Sequence, residues 1–184
     1  MQKNQLFTTD RLILRNWQNS DKEPFFRMSQ DPIIMKFLGG LRTREQSAAT
    51  VDGQISLGKN GEPAFWAAEL KSARSFIGFI GVKAINFDAS FAETKPGYEI
   101  GWRLARDHWG KGYATEGARA ALDYAFSNWN MPMIHSFTVP ANLASQNVMR
   151  KIGMQRVIDG DFDHPSLDED DPLLRHVLYE IKSA

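Results

Sequence analysis

The chain has 184 residues, with 22 basic and 22 acidic side chains, a formal charge of zero and no cysteine. That length predicts one domain, and the balanced charge gives no case for nucleic acid or an anionic membrane as a partner. The missing cysteine excludes disulfides, thiolate metal sites and cysteine nucleophiles, and fits a reducing cytoplasm. The polar start, Met1-Gln2-Lys3-Asn4-Gln5, has no apolar stretch of the kind that marks a signal peptide. No run approaches the roughly 20 apolar residues that span a bilayer.

Residues 11–17 alternate in polarity and predict a first strand. Ser20 or Asp21 caps a predicted helix that runs to about Ser29 and stops at Asp31-Pro32. Thr43 with Gln46 predicts a capping box for a second helix over residues 44–57, closed by Gly58-Lys59-Asn60-Gly61. Residues 65–70 and 76–84 predict a hairpin, followed by a polar loop over 86–95. The next strand, 97–104, carries Tyr98, Ile100, Trp102 and Leu104 on one face and Glu99, Gly101 and Arg103 on the other. After a glycine turn comes the clearest helix, whose stripe is Ala114, Ala118, Ala121, Leu122, Ala125, Phe126 and Trp129. A strand at 135–139, a helix at 142–152 ended by Gly153, and strands at 154–158 and 174–181 complete the pattern. An acid-rich loop, 159–172, joins the last two. The early hairpin argues against a purely alternating parallel sheet.

The stretch Trp109-Gly110-Lys111-Gly112-Tyr113-Ala114 lies between a predicted strand and a predicted helix. Two glycines let the backbone turn tightly and bring its amides close to a ligand. The helix points its free N–H groups and positive dipole end at the same place. Such a loop suits an anion such as pyrophosphate. A Walker loop fails, because Ala105 and Gly112 occupy positions that need Gly and Ser or Thr. A dinucleotide fingerprint fails at Thr115.

What remains resembles the pyrophosphate loop of the GNAT superfamily of N-acetyltransferases, Gln/Arg-x-x-Gly-x-Gly/Ala. Gly112 and Ala114 match it, and Trp109 replaces the Gln or Arg, as in the branch resembling ribosomal-protein N-terminal acetyltransferases. Thr9-Asp10-Arg11-Leu12-Ile13-Leu14-Arg15 resembles that branch's opening strand, and Gly97-Tyr98-Glu99-Ile100-Gly101-Trp102 its central strand. Asn142-Leu143-Ala144-Ser145 with Lys151-Ile152-Gly153-Met154 resembles its second cofactor motif. The matches keep the family's order and spacing from about residue 8 to 181.

The resemblance implies an α/β acyl-CoA N-acyltransferase fold in one domain over residues 1–184, with a core at about 8–182. It implies a mixed, mostly antiparallel sheet of about seven strands flanked by helices. Acetyl-CoA is the implied co-substrate, with no metal, and the acceptor a primary amine on a protein N-terminus or a small molecule. The chain is expected to act as a monomer or homodimer. The pyrophosphate is expected on amides from Arg106 to Ala114, including Trp109, Gly110, Lys111, Gly112 and Tyr113. Gly101 hints at a bulge that frees the backbone of Trp102, Arg103 and Leu104 for the pantetheine arm, the rival being tight packing on a bulky neighbour. The central strand and the strand at His135 are expected to splay, with Asn142 bonding the arm from the other side. Glu99 is expected to take the amine proton, directly or through water.

Many superfamily members place a Tyr seven residues after that Asn; this chain has Met149. Ser145 is left as the cofactor's hydrogen-bond donor in reach of the thiolate, the rival being an ordinary N-terminal helix residue. Arg103, Arg106, His108 and Lys111 are candidate phosphate partners or ordinary surface charges. His135 and His176 read as core or edge residues. Trp17, Phe25, Phe26, Phe37 and Trp66 read as core, with Phe37 and Trp66 as options for the acceptor side. Asp159-x-Asp161-x-Asp163 fails as a calcium loop, because His164 and Asp170 take its Gly and Glu places. Two alternatives stand beside the acetyltransferase: a catalytically silent acyl-CoA sensor, and the same scaffold using another acyl-CoA.

Overall fold

A computed structural model describes residues 5–183; the polar segment 1–4 lies outside them. The strands are β1 (Gln5–Thr8), β2 (Leu12–Arg15), β3 (Phe65–Leu70), β4 (Ser75–Ala84), β5 (Tyr98–Leu104), β6 (Met133–Thr138), β7 (Gln155–Arg156), β8 (Phe162–Asp163) and β9 (Arg175–Lys182). They form one sheet in the order β1-β2-β3-β4-β5-β6-β9-β7, with β8 on β9. Every pairing is antiparallel except β5 with β6. The expected mixed, mostly antiparallel sheet is therefore present, with nine strands rather than about seven. The two extra pieces, β1 and β8, have four and two residues, and the strand expected at 154–158 shortens to the two residues of β7. Segments that short carry no readable alternation.

The helices are α1 (Lys22–Met28), α2 (Pro32–Met35), α3 (Arg44–Asn60), α4 (Tyr113–Trp129) and α5 (Leu143–Lys151). The capping box of α3 forms as expected: Gln46 N–H donates to Thr43 Oγ1 at 3.2 Å, and Thr43 N–H donates to Gln46 Oε1 at 3.0 Å. Gly61, at φ 73°, ends α3 three residues later than predicted. Asp31-Pro32 does more than stop α1. The Asp31 carboxylate accepts from Ile33 N–H at 2.9 Å and Pro32 opens α2, a standard use of both residues. Asp21 is not a side-chain cap; its carboxylate is buried.

The larger core fills one side of the sheet. Leu12, Leu14, Ile80, Val82 and Ile100 meet Ala118, Ala121, Leu122 and Ala125 of α4 and Met149 of α5. Trp66 belongs here, stacked with Trp129 at 5.7 Å, and does not line the opposite face. A second cluster of Trp17, Phe25, Val51, Ala67 and Phe79 lies on the other side, where α1 and α3 supply Phe25 and Val51. Gly117 lets α4 sit close to the sheet: a Cβ there would stand 2.4 Å from Ile80 Cδ1.

One buried ion cluster ties β2 to the first turn and to β3. The Arg15 guanidinium donates to both Asp21 oxygens and to Glu69 Oε2, each at 2.8 Å. Burial works against its charge, yet these bonds hold the guanidinium above its ordinary value. Removing one acid strands a buried cation. Asp21→Ala is expected to destabilise the fold by about 3 kcal/mol, read as a fall in the urea midpoint without a change in slope.

Candidate active site

β5 ends at Leu104 and the chain enters a tight turn at Arg106–His108. The Trp109 indole N–H then donates back to the Leu104 carbonyl at 2.7 Å. Trp109 thus pins the loop to its own strand. Gly110 and Gly112 have φ of 72° and 81°, the left-handed region that L side chains avoid. A Cβ at Gly110 would meet nothing within 4 Å, so that side of the loop is open. Gly112 starts α4 with no side-chain cap, leaving the first-turn N–H groups and the helix dipole free for an anion.

Arg11 holds this turn from behind. Its guanidinium donates to the Lys111 carbonyl at 2.9 Å, pairs with Glu116 at 2.6 Å and lies 4.5 Å over the Tyr113 ring. Its backbone N–H reaches Glu116 Oε1 at 2.9 Å, and the Thr9 hydroxyl donates to the same oxygen. Burial alone would raise the Glu116 carboxyl; the bonds from Thr9 and Arg11 bring it below the ordinary value. A carboxylate in the first turn also suits the α4 dipole. Nothing in the sequence assigns this role to Glu116, whose partners lie more than 100 positions away.

The parallel strands β5 and β6 meet at a single pair, Glu99 with His135. Beyond it the Ser136 hydroxyl donates to the Ile100 carbonyl at 3.0 Å, taking the place of a ladder bond. Main-chain groups of alternate residues point to the same edge of a strand. Those of Trp102 and Leu104 therefore share the Ile100 edge, and the Leu104 carbonyl is already taken by Trp109. The Trp102 main chain faces the gap. The splay thus appears, but no bulge at Gly101 makes it. β4 and β5 pair without interruption from Gly78–Leu104 to Ala84–Tyr98. The irregularity lies instead between β3 and β4, where Ile77 is skipped. Gly101 is small for packing: a Cβ would stand 2.9 Å from Phe65 Cζ.

Glu99 sits on the sheet face away from the main core, half-buried, with Lys83 Nζ 3.2 Å from its carboxylate. Lys83 lies 5.2 Å over the Phe65 ring. Burial pushes the Glu99 carboxyl above its ordinary value, while Lys83 pulls it back. Lys83 was not singled out from the sequence; a lone charge in the apolar run Phe79-Ile80-Gly81-Val82-Lys83-Ala84 was the available signal. Arg103 shares this face but stands apart from the glycine loop. Its guanidinium lies 5.5 Å from the Phe25 ring and 5.4 Å from the Phe79 ring, and burial with nearby Arg42 lowers it to about 10. Arg106 pairs with Asp31 at 3.4 Å. His108 is held below its ordinary value by burial and then by Lys111, and its Nδ1 is buried without a partner.

At the start of α5, Asn142 is committed locally. Its Oδ1 accepts from Ser145 N–H at 3.3 Å and its Nδ2 donates to Thr138 Oγ1 at 3.0 Å. Ser145 is half-buried in the first turn. Met149 is 1% exposed and belongs to the core, so no hydroxyl stands at that position. The acidic loop is partly ordered by β8. Asp161 pairs with Arg156 and Asp163 with Arg175, while Phe162 and His164 join Phe87, Phe137 and His176 in an aromatic cluster. Among the described residues no helix is long and apolar enough to cross a membrane, and no group of three or more metal-ligating side chains converges.

Comparison with known proteins agrees with this geometry. Residues 11–155 match the acetyltransferase (GNAT) domain family. The uncharacterized N-acetyltransferase YnaD of Bacillus subtilis is 34% identical over 150 residues, 81% of this chain and 82% of that protein. YkkB of the same organism, an uncharacterized protein, is 35% identical over 147 residues, 79% of this chain and 83% of its own length. A GNAT-family acetyltransferase from Bacillus anthracis has a TM-score of 0.76 at 25% identity, covering 95% of this chain and 96% of its own. The ribosomal L7/L12 alpha-N-protein acetyltransferase RimL, solved with coenzyme A, shares the fold with a TM-score of 0.77 at 15% identity, over 97% of each chain. With the glycine loop, the parted strands and a domain match over most of its length, the chain belongs to the GNAT acetyltransferase family.

Proposed function

We propose that this protein transfers an acetyl group from acetyl-CoA to a primary amine by direct attack in a ternary complex. The observation that carries the reading is the Trp102 main chain, left facing a gap that joins an anion-binding turn at one end to Glu99 at the other. The amides of Gly110, Lys111, Gly112, Tyr113 and Ala114 hold the diphosphate; those of His108 and Trp109 are already donated to the Ala105 and Arg106 carbonyls, at 2.9 and 3.0 Å. The Trp102 main chain bonds the pantetheine arm in place of the missing strand ladder. Bound acetyl-CoA supplies a thioester carbonyl and a thiol leaving group.

A protonated amine has no lone pair. Glu99 accepts its proton, and the surrounding burial raises the basicity of the carboxylate toward that task. Ser145 donates to the cofactor at the α5 end, while Asn142 acts there by holding the first turn of α5. The acceptor is a protein N-terminus or a small amine, reached from the face that carries Glu99, Lys83 and Phe65. A silent acyl-CoA sensor remains the second reading, favoured by the core methionine at position 149.

The chain contains no thiol, so a thiol-reactive dye reports released CoA alone. Acetyl-CoA with a panel of peptides, aminoacyl compounds and polyamines is expected to release CoA with at least one member. Tight CoA binding with no release from the whole panel would replace the transferase by the sensor. Glu99→Gln is expected to lower kcat by about 10²–10⁴-fold with KM for acetyl-CoA little changed. Gly112→Val forces a branched side chain into a left-handed backbone, so the turn must shift. KM for acetyl-CoA is expected to rise about 10–100-fold, the worth of one charge-assisted hydrogen bond, in a protein whose circular dichroism stays native.

A further inference from the structure

His135 is 2% exposed; neither ring nitrogen makes a hydrogen bond of ordinary geometry, although a Tyr98 backbone group lies near enough to the ring to favour its charged form. A buried, unpaired imidazole is costly and asks for an explanation. Its position supplies one. In-register residues of neighbouring strands share a face, and His135 is the register partner of Glu99 on β5 and of Glu180 on β9. Lys83 on β4 is in turn the register partner of Glu99. Lys83, Glu99, His135 and Glu180 thus form one row across four adjacent strands. The row crosses the sheet where β5 and β6 begin to part. The Phe91 ring, 5.1 Å from the imidazole, packs against it from the loop between β4 and β5.

Acetyl transfer to an ammonium releases two protons from nitrogen. The first must leave before the lone pair can attack. The second leaves as the new N–C bond becomes an amide. A single carboxylate holds only one proton at a time.

We propose that His135 is the second proton acceptor of the site, acting through Glu99. The inference rests on the transferase reading. Glu99 takes the first proton from the ammonium and passes it to the neutral imidazole through a hydrogen bond that forms when the ring turns to meet it, which leaves the carboxylate free to act again. The amine lone pair forms the N–C bond, and Glu99 takes the second proton from nitrogen as the C–S bond breaks. One of the two stored protons neutralises the departing thiolate; the other goes to solvent. The scheme gives the leaving group a proton without a hydroxyl at Met149. It also gives the orphaned ring nitrogens a use.

The surroundings fit a ring that is neutral at rest and tolerates charge in transit. Burial holds the imidazole below its ordinary value, while a Tyr98 backbone group, Glu180 and Glu93 oppose that shift. The charged groups facing the pair are Lys83 on β4, Glu99 and more distant Arg103 on β5, Glu180 on β9, and Glu93 on the loop. His135 acts on the reaction through Glu99 and is therefore a positioning residue.

The test combines kinetics with direct titration. His135→Val replaces an unpaired polar ring by a strand-forming apolar side chain. The variant is expected to melt higher than the wild type yet lose at least tenfold in kcat, with KM for acetyl-CoA unchanged. In the wild type log kcat is expected to fall with a slope near two at acid pH, because both groups must be unprotonated. In His135→Val the slope is expected near one. The chain has four histidines, so the His135 ring signal is found by its loss in that variant. Followed by NMR, its midpoint is expected to drop further in Glu99→Gln, since removing a nearby negative charge disfavours the imidazolium. A wild-type kcat and acid slope in His135→Val, or a His135 midpoint blind to Glu99→Gln, would overturn the proposal. The titration needs no acceptor. Coupling in a protein that acetylates nothing would uphold the pair and sink the transferase reading. Absence of coupling in a competent enzyme would sink the pair alone.

Discussion

The site depends on two parallel strands that touch at one residue pair. β5 and β6 are joined by α4, the long crossover that parallel neighbours require. They pair at Glu99 and His135 and then diverge. A strand edge without a partner exposes donors and acceptors that must be satisfied by something else. The protein settles two of these groups itself. Ser136 takes the Ile100 carbonyl and Trp109 takes the Leu104 carbonyl. Trp102 lies between them, so its main-chain donor and acceptor stand midway along the gap. The crossover places its own N-terminus at the end of the gap, where its dipole favours an anion. Both features follow from one topological fact, the parallel step in an otherwise antiparallel sheet.

Much of this was legible in the sequence. A short polar turn between two apolar runs marks β3, alternation marks β5, both almost to the residue, and the Thr43–Gln46 spacing marks the start of α3. The glycine turn was legible because positive φ leaves few residue choices, and Gly110 and Gly112 adopt it. The sequence did not reveal what depends on contacts between distant segments. Arg11 and Glu116 are more than 100 positions apart, and neither has a local signature of the clamp. Lys83 reads as a surface charge until register places it against Glu99. A glycine in a strand has two explanations, a bulge or close packing, and at Gly101 only the Phe65 ring chooses between them. His135 looked like an ordinary core residue because burial is visible in a pattern, whereas a missing hydrogen bond is not.

The two faces of the sheet do different work. The face toward α4 and α5 is apolar and close-packed. The long buried side chains of β2, β4 and β5 interlock there with a helix rich in alanine. That face supplies most of the favourable burial. It also fixes α4 against the sheet through the Gly117 contact, so the glycine turn adjoins a rigid element. The other face carries the row of ionisable groups at β4, β5, β6 and β9. It also holds the unpaired Arg103 guanidinium, which lies on two phenylalanine rings instead of an acid.

A fold selected for stability alone would not keep this second face as it is. A buried imidazole without partners, a half-buried carboxylate raised above its ordinary value and a lone guanidinium each cost free energy that an apolar side chain would not. The apolar face makes the cost bearable, because native stability is the small remainder of large opposing terms. Two of these groups meet at one place. His135 and Glu99 share the one register pair that joins β5 to β6. Active sites commonly gather such departures, because groups left unsatisfied by the protein are the ones free to act on a ligand. The contrast with Arg15 makes the point within the same chain. Its guanidinium is buried like His135, yet two acids satisfy it from both sides. Burial alone therefore does not mark the site in this protein.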